Sequence, residues 1–127
     1  MKSIAKVMGV SLIAVAAATA CSKPAQASDS DECQQLGQIA DAIIFERLHH
    51  NTSFEEAKGK VEAVTERAEW SEEPSRITST TVVKMLYKVS PYVLRENGQV
   101  LTTLLVKNCL DHGGLEPFLQ FYEEKNG

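Results

Sequence analysis

The sequence predicts an all-α fold, a small bundle of four to five helices with one disulfide linking the first helix to the penultimate one. Three observations carry that expectation. Beyond residue 30, apolar residues recur at three- and four-residue intervals, the spacing that gathers them on one face of a helix. Helix start and stop signals fall between those runs, at Thr52-Ser53-Phe54-Glu55, Ser90-Pro91 and Gly113-Gly114. Cys33 and Cys109 are the two cysteines left once the N-terminal leader is set aside. At 127 residues, with 43% hydrophobic and 6% aromatic content, the chain has room for one domain with a mainly aliphatic core.

The leader, MKSIAKVMGVSLIAVAAATAC, has a basic start and a short apolar run of signal-peptide length, too alanine-rich to read as a spanning helix. Two processing sites compete. Ala18-Thr19-Ala20-Cys21 resembles a bacterial lipobox, which would remove residues 1–20 and acylate Cys21, although Ala18 stands where leucine is usual. Ala25-Gln26-Ala27 is an A-x-A site for ordinary signal peptidase, which would remove 1–27. The lipobox is the favoured reading because Cys21 falls where the apolar run stops. It places the protein in the periplasm, held on the outer membrane only by its lipid. Either route exports the chain to an oxidising compartment and leaves Cys33 and Cys109 to pair; the alternative is two buried thiols that never meet. A bridge would close a loop of about 77 residues, for which chain entropy allows about 4–5 kcal/mol.

Residues 21–30 read as a polar, proline-containing tether, and 31–127 as the helical domain. The first helix is expected over Asp31–His50, with Leu36, Ala40, Ile43, Ile44 and Arg47-Leu48 on one stripe and Cys33 at its head. Ser28 or Ser30 would cap it, and Gly37 marks the close approach of a neighbouring element. Thr52 with Glu55 forms a capping box, and Ser53 with Glu56 offers the same device one residue on. Phe54, Ala57, Val61, Val64 and Ala68 then form the next stripe, with Gly59 a weak point. The short connection predicts that the first two helices pack as an antiparallel hairpin. Trp70–Ser75 reads as a loop on account of its proline and acids.

The stretch from Ile77 to Val89 fits a strand through Val83, Met85, Tyr87 and Val89, or a helix through Val82, Val83, Leu86 and Val89. A lone strand has no partner elsewhere in the chain, so helix is the choice. Ser90-Pro91 opens a short helix to Glu96, which Asn97-Gly98 is expected to interrupt. Gln99–His112 follows as the most apolar helix, with Leu101, Leu104, Leu105 and Cys109 on or beside one face, stopped by Gly113-Gly114. A last short helix carries Leu115, Phe118, Leu119 and Tyr122 toward the core.

Charge narrows the function classes. The net charge of −4 conceals three lysines and no acid in residues 1–27, so the remainder holds ten basic and seventeen acidic side chains, a net of −7. So acidic a surface repels phosphate backbones and suits a cationic protein partner rather than nucleic acid. Adjacent histidines His49 and His50 diverge by about 100° on a helix and cannot share an ion, so they read as groups at a helix C-terminus. Cys109 with His112 resembles an activated thiol only if Cys33 leaves it unpaired. Asp41 and Glu46 are expected to face solvent. There is no glycine-rich phosphate loop, serine elbow or zinc-ligand spacing, so the reading is a binding protein and not an enzyme, with no cofactor or metal. The candidate partner-binding residues are Glu66, Glu69, Trp70, Glu72 and Glu73, where the only tryptophan sits among glutamates. The competing role for Trp70 is a lid folded onto the core.

Lys107-Asn108-Cys109-Leu110-Asp111 with Leu115 beyond, together with Cys33 on a first helix, resembles small periplasmic immunity proteins of type VI secretion amidase effectors. That family has Lys-Cys-Leu-Asp, so Asn108 is an extra residue here, and Gly113-Gly114 departs from its helical continuation. Cys33-Gln34-Gln35-Leu36-Gly37 with Arg47 equally resembles uncharacterised exported bacterial proteins with a Cys-x-x-Leu-Gly helix and a late cysteine. The first resemblance implies an all-helical protein that blocks a cell-wall-targeting toxin. The second leaves an envelope lipoprotein of structural or stress-related role.

Overall fold

The computed structural model describes residues 27–126. The expected signal peptide, the expected lipidation site at Cys21 and the tether up to residue 26 lie outside them. Five helices make up the described residues: α1 (Ala27–His50), α2 (Phe54–Arg67), α3 over 72–88, α4 (Pro91–Asp111) and α5 (Leu115–Asn126). The rod α3 consists of Glu72–Ile77, a π-helical stretch Thr78–Val82, and Val83–Lys88, with helical backbone angles at both junctions. The expected all-α bundle is what forms.

The spine is the antiparallel pair α1 and α4. Cys33 and Cys109 are joined by a disulfide with a Cα–Cα distance of 5.7 Å, linking the first helix to the penultimate one. Further along, a Cβ on Gly37 would lie 2.5 Å from Val106 Cγ2, so only glycine admits this approach. Ile44 covers Gly98, where a Cβ would sit 3.5 Å from two of its side-chain atoms. That contact explains a departure from expectation: α4 runs unbroken through Asn97-Gly98. Glycine costs a helix about 1 kcal/mol, less than packing a 21-residue helix along α1 returns.

The N-terminal parts of three helices differ from expectation, two of them for a local chemical reason. α1 is already helical at Ala27, the first described residue, so residues 27–30 are helical rather than tether, with Asp31 and Glu32 following in the same helix. α2 is capped by the Ser53–Glu56 box, not Thr52–Glu55. Thr52 instead donates its hydroxyl to Glu46 Oε1 at 2.8 Å. α3 begins at Glu72, inside the stretch expected to be a loop. Pro74 falls in its first turn, where a missing N–H costs nothing, and Glu72 and Glu73 favour that positive end.

Arg47, placed by its spacing in the apolar stripe, has a polar role. Its Nη1 donates to Leu86 O at 2.7 Å and also to Val89 O, capping the C-terminal end of α3. The guanidinium lies 5.1 Å from the Tyr87 ring centre, and the Tyr87 hydroxyl donates to Thr52 O in the α1–α2 turn. The core behind this corner includes Leu36, Ile77, Leu86, Leu94, Leu115 and Leu119, all fully buried. Leu104 is not part of it; at 47% exposure it faces outward.

Candidate functional site: an open groove and its acidic corner

The short α1–α2 connection does reverse the chain, but the two helices do not close on each other. α2 leans on α3 and meets α1 only sparsely. Its apolar stripe therefore outruns its partners: Ala57 and Val61 are buried, whereas Val64 is 38% exposed and Ala68 is also exposed. Between the helices lies a groove of about 340 Å³ with a floor of Ile39, Ala42, Ile43, Val61, Val64 and Ala68. The sequence places Val64 and Ala68 on the apolar stripe, and only the structure shows that they lack a cover.

Both ends of the groove are polar. At one, Lys60 Nζ donates to Glu46 Oε1 at 2.7 Å. Glu46 is thus half-buried and engaged rather than simply solvent-facing. The hydrogen bond from Lys60, then that from Thr52, holds its carboxyl below the usual range, and the same pair raises the Lys60 ammonium. At the other end stands Trp70, only 8% exposed, its Nε1 donating to Gln35 Oε1 at 2.8 Å. Trp70 is therefore the lid, not a projecting anchor, which corrects the first expectation for it. Truncating it to alanine would cost about 3–5 kcal/mol and cannot isolate binding from folding.

The glutamates separate into two groups. Glu73 leaves the candidate set because Arg76 holds it: Arg76 Nη2 donates to Glu73 Oε1 at 2.8 Å while Nη1 donates to Glu123 at 2.8 Å. Among the described residues, Glu66, Glu69 and Glu72 have no ion-pair partner. They cluster around the C-terminal end of α2, whose own dipole is negative there. Glu69 takes a left-handed φ of 62°, and the following amide of Trp70 bonds back to Thr65 O at 3.0 Å. This turn drives Trp70 inward and leaves the acids outward. Trp70 also lines a shallow recess with Glu62, Glu66 and Glu72, where Lys58 and Arg76 are present as well, so it is shared by the apolar groove and this charged recess, and none of Glu66, Glu69 and Glu72 lines the groove itself. The sequence named these acids but missed the groove beside them.

Elsewhere the chemistry is structural. His49 and His50 lie against Phe45, with ring centres 4.6 and 5.4 Å away, and His112 caps α4 through Asn108 O. Asp41, exposed as expected, still accepts a 2.7 Å hydrogen bond from the Thr102 hydroxyl on α4. Among the described residues no three His, Cys, Asp or Glu side chains could hold a metal ion, and no helix is long and apolar enough to cross a membrane. Comparison with known families, with curated proteins and with solved structures finds no match.

Proposed function

We propose that the protein is an exported, disulfide-tied helical binder that neutralises a cationic cell-wall-targeting enzyme, in the manner of an immunity or inhibitor protein. The observation that supports this reading is the set of three glutamates without an ion-pair partner among the described residues, Glu66, Glu69 and Glu72, around the turn that carries Trp70, the end residue of an apolar groove. Uncompensated charge steers an oppositely charged partner and speeds its association; adjacent apolar surface supplies affinity that charge alone does not. In this reading the protein acts by occupying a partner's surface rather than by catalysis.

The test is inhibition. Immobilised protein is exposed to the basic fraction of an envelope extract or of a competitor's secreted effectors, and the bound material is assayed for peptidoglycan hydrolysis with and without excess soluble protein. Hydrolytic activity that soluble protein suppresses, and that the triple change Glu66→Gln, Glu69→Gln, Glu72→Gln no longer suppresses, supports the reading. Retained hydrolases whose activity is unaffected would overturn it in favour of a structural or stress-related envelope role.

A further inference from the structure

We infer that the α1–α2 groove is the docking site for one amphipathic helix of the partner, bearing an apolar stripe and a cluster of Lys or Arg at one end. The inference rests on the binder reading above and names the surface and the chemistry it selects. The groove is flanked by two helices that stand apart, and a third helix is the element that fills such a gap with its own apolar stripe. The part of it that runs along α2, from Lys60 to the helix end at Arg67, is about 10 Å at 1.5 Å per residue, with Trp70 in the following turn closing the end. That admits roughly two turns, so the partner contacts it through positions i, i+3 or i+4, and i+7.

Charge orients the occupant. Lys60 at one end is neutralised by Glu46, whereas Glu66, Glu69 and Glu72, outside the groove lining around the turn that carries Trp70 at the other end, have no ion-pair partner among the described residues. The basic residues of the incoming helix therefore lie at the Trp70 end. A second copy of this chain is disfavoured, because it would bring like acidic corners together in a domain of net charge −7. An anionic lipid surface is disfavoured on the same ground.

Trp70 is the only tryptophan and forms the end wall of the groove, so its emission reports occupancy directly. The exported, disulfide-bonded protein is titrated with synthetic helical peptides of three to four turns that lack Trp and Tyr, carry leucines at i, i+3, i+4 and i+7, and bear lysines in one terminal turn. Expected is a saturable change in Trp70 emission with a Kd in the micromolar range. Val64→Glu and Ala42→Glu, both at exposed floor positions and checked for unchanged melting, should each weaken binding at least tenfold. The Gln triple variant should weaken it several-fold and flatten its salt dependence. Val100→Glu, on the exposed far side of α4, should change nothing. The inference fails if no peptide binds below millimolar concentration, if a sequence-scrambled peptide binds equally well, or if Val64→Glu and Ala42→Glu bind like the parent. Peptide docking without suppression of any cell-wall hydrolase would sink the proposed function and keep the groove. Suppression that ignores Val64→Glu would do the reverse.

Discussion

Thr78 is fully buried in the π-helical stretch of α3, and its hydroxyl has no hydrogen-bond partner among the described residues. Its neighbours fare better: Thr80 Oγ1 donates to Arg76 O at 2.7 Å and Ser79 Oγ to the same carbonyl at 3.2 Å. Hydroxyls competing for backbone carbonyls in this way loosen a regular helix, which accounts for the wider turn in a run of Thr and Ser. An unpaired buried hydroxyl costs about 1–3 kcal/mol, so Thr78→Val should raise the urea midpoint by an amount worth about 1 kcal/mol without changing the slope. A lower midpoint would mean that Thr78 has a partner the folded chain supplies dynamically. Glu46 and Glu73 make a second residue-scale prediction. Both carboxyls are held below their ordinary value of 4.5, Glu46 chiefly by Lys60 and Glu73 by Arg76. Their contribution is complete above that value and disappears as pH falls through the lowered one. The melting temperature should hold steady from pH 7 to about 5 and fall below about 4.5, and Glu46→Gln should make that acid limb shallower.

Glycines are where helices reveal what they pack against. Gly59 is exposed on α2, and a Cβ there would meet nothing within 4 Å, while one on Gly37 of α1 would meet Val106 at 2.5 Å. Gly59→Ala should therefore stabilise by about 0.5–1 kcal/mol through helix propensity, whereas Gly37→Ala should destabilise by about 1–3 kcal/mol through overpacking against a stiff β-branched side chain. Thermal melts of the two variants decide it, and equal shifts of the same sign would refute the α1–α4 register. The sequence made Gly37 legible as a close approach because a helix interior has little other use for glycine. It misread Gly98 as a break, since identical local chemistry hid the Ile44 contact that outweighs it. Arg47 was misread for a related reason: its spacing matched the apolar stripe, yet what it reaches is the carbonyl end of a rod some forty residues later. Periodicity gives the face of a residue and not the atom at its tip. The same limit hid the groove, because Val64 and Ala68 carry the signature of a core position whether or not anything covers them.

At the scale of the molecule, the cysteine count, the caps and the periodicities were enough to specify a helical bundle and its bridge, since each is local or arithmetical. How far apart α1 and α2 stand was not specified, because it depends on α3 holding α2 away. The bridge is the least replaceable part of that arrangement. It spans a sequence separation of 76 residues, and loops of that size are worth about 4–5 kcal/mol in chain entropy. Domains of this length are stable by only about 5–15 kcal/mol. Cys33 and Cys109 are both fully buried, so a reductant reaches them only when α1 and α4 part. Two consequences follow together. Reduction under native conditions should be slow and should accelerate with added urea, tracking the opening of the α1–α4 pair rather than reductant concentration. Once reduced, or with both cysteines changed to serine or alanine, the domain should melt at least about 8 °C lower, because about 2–5 kcal/mol converts to roughly 4–8 °C per kcal/mol at this size. Rapid reduction in the folded state with a shift under about 5 °C would show that apolar packing along Gly37 and Gly98 holds the spine by itself.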